Sequence, residues 1–173
     1  MKYLVVVDMQ KDFVDGALGT KEAQAIVPNV VKAIQQFSGV ILYTKDTHGE
    51  NYLQTQEGSN LPVVHCVKDT DGWQLDPQIA AVQDSQAPVF EKGTFGSKEL
   101  ALYLQQANEK EAIEEVIFIG LCTDICVISN AMLAKAFMPE VPVTVWQDCC
   151  AGVTPESHNN ALEAMKMCQI KVQ

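Results

Sequence analysis

Short runs of Val, Ile and Leu recur along this chain and alternate with longer segments of helical period, and that alternation leaves few folds open. Strands buried on both faces read as continuous apolar runs, and the helices between them supply the crossovers that parallel strands require. Runs of this kind stand at 3–7 (Tyr-Leu-Val-Val-Val), 40–43, 87–90, 116–119 (Val-Ile-Phe-Ile), 141–146 and, more briefly, 169–172. Between the first two, Val27, Val30, Val31, Ile34 and Phe37 fall on one helical stripe, with Pro28 placed where a first turn tolerates it. The spacing predicts further helices over 98–108, presenting Leu100, Leu102 and Leu104, from Cys126 towards Phe137, and from Pro155 to Met167. Six strands and four main helices in this order predict an α/β fold, a doubly wound six-stranded, mainly parallel sheet with helices on both faces.

A length of 173 residues with 47% apolar composition suits one hydrophobic core, so residues 1–173 are expected to form one domain. The net charge of -10 and the absence of any basic run oppose binding to nucleic acid or to an anionic membrane surface. No apolar run approaches the roughly 18 residues of a membrane span, and Met1-Lys2-Tyr3 reads as the entry to a strand, so a cytoplasmic location is expected. Six cysteines are too few for a disulfide scaffold of this length, and in a reducing compartment most serve as small buried hydrophobes. The adjacent pair Cys149-Cys150 has no explanation in its spacing. Phe137 and Met138 at a helix end suggest a contact surface for a homo-oligomer.

Ligands of doubly wound sheets bind beyond the carboxyl ends of the strands, which makes Asp8, Asp46, Lys92, Cys126 and Asp148 candidates for chemistry. Cys126 carries the most information, because it stands at a helix start directly after a buried strand. Free backbone N–H groups there favour thiolate over thiol and can cradle a developing oxyanion. Asp8 taken alone is an ordinary strand-end acid, but Gln10 stands where a phosphatase or receiver domain would carry a second one. Lys92 gains meaning in company, since an ammonium beside Asp8 would hold the carboxylate ionised and oriented.

The stretch from Asp46 to Asp76 has no clear period over roughly 30 residues, which exceeds ordinary connections and points to function. Asp46 and His48 share a face at a strand end, and Glu57 and His65 can return on the loop to complete a mixed nitrogen and oxygen set. Such a set suits zinc, iron or manganese better than calcium or copper. The spacing fits equally well two histidines that only hydrogen-bond loop backbone. Phe13, Trp73 and Phe95 flank these polar points as candidate walls for a flat ring.

Four segments together carry a family resemblance: Val5-Val-Val-Asp8-Met-Gln-Lys-Asp-Phe13, Thr44-Lys-Asp46-Thr-His48, Glu91-Lys92-Gly-Thr-Phe95 and Gly120-Leu-Cys-Thr-Asp-Ile-Cys126-Val. In this order they resemble the isochorismatase-like cysteine hydrolases and, within them, the nicotinamidase branch. The resemblance implies a catalytic triad of Asp8, Lys92 and Cys126, with an oxyanion hole from the backbone N–H groups of Cys122 and Cys126 after a cis peptide at Leu121-Cys122. It implies a divalent metal, zinc first and iron or manganese next, on Asp46, His48, Glu57 and His65, with Glu50 in reserve. It also implies a substrate pocket at Phe13, Leu121 and Phe95. The implied activity is hydrolysis of nicotinamide to nicotinate and ammonia through a thioester; the alternative is a related amidase acting on a carbamoyl or ureido compound. One departure stands out: many nicotinamidases carry an aromatic residue three positions before the last metal histidine, and this chain has Pro62 there.

Overall fold

In the computed structural model, which describes residues 1–173, the chain runs β1 (Lys2–Val7), α1 (Lys11–Val14), α2 (Lys21–Gln36), β2 (Val40–Asp46), α3 (Gln56–Asn60), α4 (Pro77–Ala80), β3 (Val89–Lys92), α5 (Lys98–Lys110), β4 (Glu115–Leu121), α6 (Ile128–Phe137), β5 (Val143–Ala151), α7 (Pro155–Met167) and β6 (Lys171–Val172). The six strands lie in the order β3-β2-β1-β4-β5-β6, and every neighbouring pair is parallel. The expected sheet is therefore present and wholly parallel. Seven helices form rather than four, the additional three being short pieces. No helix is long and apolar enough to cross a membrane.

The sheet is covered on both faces because its central strands have no polar side. Leu4 and Val6 of β1 pack with Ile26, Val27 and Val30 of α2, while Val5 and Val7 pack with Leu100 of α5, Ala131 of α6 and Met165 of α7. Cys149 and Cys150 divide in the same way. As neighbours on β5 they point to opposite faces, one into each apolar layer, which accounts for the pair as packing.

Several boundaries differ from expectation. α2 starts six residues before Val27, because the Thr20 hydroxyl accepts the Ala23 N–H at 3.0 Å and caps an earlier turn. Pro28 is thus inside the helix, and it is exposed, so water can serve the carbonyl its missing N–H leaves unpaired. In α5, Leu100, Ala101 and Leu104 form the buried stripe and Leu102 faces outward. β5 runs to Ala151, which places Asp148 mid-strand and exposed, away from any strand-end chemistry. Met138 is buried, and Phe137 is half-buried against the same core.

Candidate active site

β1 and β4 are adjacent, yet the chain leaves β1 towards one edge of the sheet and β4 towards the other. A crevice opens at their carboxyl ends, and Asp8 and the Cys122–Cys126 segment occupy it. Gly120 permits the close approach: its φ is +113°, and a Cβ there would lie 2.2 Å from the Val7 carbonyl oxygen.

Asp8 is fully buried, and the Thr44 hydroxyl donates to its Oδ1 at 2.6 Å. Lys92 ends β3 in register with Asp46, and its side chain passes over the end of β2 to reach Asp8. Its Nζ lies 2.6 Å from Asp8 Oδ2, 3.2 Å from Asp46 Oδ1 and 3.4 Å from Cys126 Sγ, and it donates to the Thr94 carbonyl at 3.1 Å. Burial opposes the charge on Lys92, but Asp8, Cys126 and Asp46 outweigh it and hold the ammonium well above its usual range. Burial pushes the Asp8 carboxyl up against the pull of Lys92. Asp8 Oδ2 has the Lys92 ammonium, 2.6 Å away, as its one close polar partner.

Cys126 sits in a π-helical turn, Thr123–Val127, that precedes α6, and the Leu121-Cys122 peptide before it is cis. Side chains pin this turn on every side. The Thr123 hydroxyl pairs with His158 Nδ1 of α7 at 2.8 Å, Asp124 accepts the Val153 N–H at 3.2 Å, and the buried Asn130 donates to the Cys126 carbonyl at 2.8 Å. Burial first, then Asp8, pushes the Cys126 thiol up, against the pull of Lys92. Burial withholds solvation from the anion and so opposes what the turn's N–H groups and the Lys92 ammonium offer it. Cys122 is likewise pushed up to about 12 by burial.

Beside this group, Asp46, His48, Glu57 and His65 offer ligand atoms that all lie within 4.8 Å of one another. His48 Nε2 stands 2.8 Å from Asp46 Oδ2 and 3.6 Å from Glu57 Oε1, and His65 Nε2 stands 3.6 and 3.7 Å from the same two atoms. Atoms bound about 2.0–2.2 Å from one ion are spaced in this way, so the donor set fits. His65 Nδ1 donates to the Val63 carbonyl at 2.7 Å, which leaves the Nε2 lone pair facing the group. The Tyr52 ring packs tilted against His48 and edge-on against His65, with ring centroids 4.7 and 4.9 Å away. Burial and the neighbouring Asp46 raise the Glu57 carboxyl, the repulsion that a divalent cation between them relieves. Glu50 is exposed and stands apart from the four.

Both groups open into one cavity of about 240 Å³, with Asp46, Glu57, His65 and Cys126 in its lining. Phe13, Leu121 and Phe95 line it as expected. Trp73 does not; it lies under the Lys45 ammonium and donates to the Thr47 hydroxyl at 2.9 Å. Leu61 rather than Pro62 faces the cavity, and aromatic surface comes from the two phenylalanines. Thr44, Asn130, Thr123 and His158 were not singled out as site residues in the sequence. Only Thr44 had a signal there, since it shares the strand face of Asp46.

A thiol, an acid and an ammonium over a metal-ligand group, at the switch point of a doubly wound sheet, define an α/β hydrolytic enzyme. The chain belongs to the isochorismatase family, whose domain matches residues 2–173. It is similar to the nicotinamidase/pyrazinamidase of Mycobacterium tuberculosis, at 28% identity over 99% of this chain and 98% of that protein. It is 29% identical to the nicotinamidase of Escherichia coli over 95% of this chain and 89% of the relative. Among solved structures, the pyrazinamidase of Pyrococcus horikoshii in complex with zinc superposes with a TM-score of 0.83 at 29% identity, covering 99% of this chain and 98% of that one. That relative binds zinc, and the four side chains here form a group that could hold a divalent metal.

Proposed function

We propose that this protein is a cytoplasmic, zinc-dependent nicotinamidase that hydrolyses nicotinamide to nicotinate and ammonia through a thioester on Cys126. The observation that carries the reading is the Lys92 ammonium, set 2.6 Å from Asp8 and 3.4 Å from the Cys126 sulfur, with Cys126 lining the same cavity as Asp46, Glu57 and His65.

Attack begins with transfer of the Cys126 proton to Asp8 while Lys92 stabilises the emerging thiolate. The sulfur adds to the carboxamide carbon, and the backbone N–H groups of Cys122 and Cys126 receive the oxyanion. Protonated Asp8 then gives its proton to the departing nitrogen, ammonia leaves, and a thioester remains. Water adds to the thioester as Asp8 takes its proton, and collapse releases nicotinate and returns the proton to the sulfur. Asp46, His48, Glu57 and His65 would hold the zinc, which when bound supplies a Lewis-acid anchor for the pyridine nitrogen. A carbamoyl or ureido substrate has no ring nitrogen to anchor, so the ligand group favours the pyridine amide.

Ammonia release from nicotinamide, pyrazinamide and a set of carbamoyl compounds tests the reading, with Cys126→Ala as control. Turnover of the two ring amides, absent in the control, is the expected result. Cleavage of carbamoyl compounds alone would overturn it.

A further inference from the structure

Gln10 is fully buried, and its side chain reaches three backbone groups. Its Oε1 accepts the Asp46 N–H at 2.7 Å, and its Nε2 donates to the Asp46 carbonyl at 2.8 Å and to the Trp73 carbonyl at 3.0 Å. The geometry has a local cause. β1 pairs with β2 only as far as Val7 with Thr44, after which Asp8 takes a positive φ of 47° and the chain turns away. The Asp8 N–H still donates to the Thr44 carbonyl at 3.2 Å, so residues of that parity on β2 turn their backbone groups towards β1. Two positions on, Asp46 has the same orientation and no strand opposite. A glutamine amide carries the same C=O and N–H pair as a peptide, and here it continues the ladder by one residue.

The residue so held is the hub of the site. Asp46 Oδ2 lies 2.8 Å from His48 and 3.6 Å from His65, and Oδ1 lies 3.2 Å from Lys92. One carboxylate thus serves the metal group with one oxygen and the ammonium with the other, and it tolerates little rotation or slide of its backbone. We infer that Gln10 is a positioning residue for the metal centre, its amide fixing the Asp46 peptide so that the carboxylate meets the metal and Lys92 together. The inference rests on the divalent-metal reading of the four ligands, and it does not depend on which amide is hydrolysed.

The test is zinc affinity, measured by competition with a chromophoric chelator, for wild type, Gln10→Ala, Gln10→Asn and Val30→Ala. Val30 is buried on α2 and touches none of these groups, so its truncation controls for general loss of stability. Loss of partners around a metal ligand weakens binding about 10–100-fold, and a rise of that size in zinc Kd is expected for both Gln10 variants, with Val30→Ala within about twofold of wild type. Gln10 variants that bind zinc within about twofold of wild type, or a Val30→Ala loss as large as theirs, would overturn the inference. A wild type that binds no zinc overturns the metal reading itself, a result distinct from the others. Should the variants fold poorly, proton exchange of the Gln10 side-chain amide in the wild type decides: slower exchange with zinc is expected, and no change contradicts the role.

Discussion

Lys92→Met removes the ammonium while nearly keeping its volume, and two buried carboxylates then lose their cation. In the native protein Lys92 is 3% exposed and Asp8 fully buried, so water cannot take over the solvation of Asp8. Breaking such a buried pair costs about 3–5 kcal/mol, and protonation of the stranded Asp8 keeps the loss from growing to that of a bare buried charge. For a chain of this size each kcal/mol moves Tm by about 2–4 °C, so the expected fall is about 6–20 °C. Urea unfolding followed by tryptophan fluorescence, in chelator so that metal binding does not contribute, gives the free energy directly. Asp8→Asn in the same background removes the stranded acid and should restore about 2 kcal/mol. Turnover should fall at least about 100-fold in either background, because the acid–base pair is broken. A loss in Lys92→Met below about 1 kcal/mol, the size of an exposed ion pair, would refute the reasoning, as would a double variant no more stable than the single one.

Cys126→Ala should abolish ammonia release and leave zinc binding intact; residual turnover above about 1% of wild type would assign the nucleophile elsewhere. Chelation should stop nicotinamide turnover while iodoacetamide still alkylates Cys126, because the thiol and its base do not depend on the metal; loss of both together would contradict that separation. Burial raises the Asp8 carboxyl and turnover needs it ionised, so activity is lost as pH falls through that raised value. The acid limb of kcat/KM should therefore lie above the ordinary aspartate value of about 3.9, and a limb at or below it would count against Asp8 as the base. Thr123→Val strands the His158 partner and should cost about 1 kcal/mol with a fall in kcat, whereas unchanged unfolding and kcat would show that the turn is held by its other contacts.

Strands β1 and β4 were legible because both faces are covered and nearly every residue had to be apolar. β5 was cut short at Trp146 because exposed Gln147 and Asp148 interrupt it before Cys149 resumes the buried pattern, a break that accompanies a register shift against β4. The start of α2 was hidden by its polar first turn, although Thr20 carried a usable cap signal. At the site, Asp8, Asp46, Lys92 and Cys126 stood out as polar residues at or after strand ends and His48, Glu57 and His65 as polar residues of one long loop, and the fold brings them close together. The depth of Cys126 was not legible, because a motif places a thiol after a strand but says nothing of how far later elements bury it. Gln10 and His158 act on groups far away in sequence, so no local pattern announces them.

Acid quenching of the wild-type enzyme during turnover of nicotinamide, followed by mass mapping of its six cysteines, tests the central chemistry most directly. A nicotinoyl group on Cys126, released by hydroxylamine and absent from Cys126→Ala, is the expected result. Steady ammonia release with no acyl group on Cys126, and undiminished in Cys126→Ala, would contradict it.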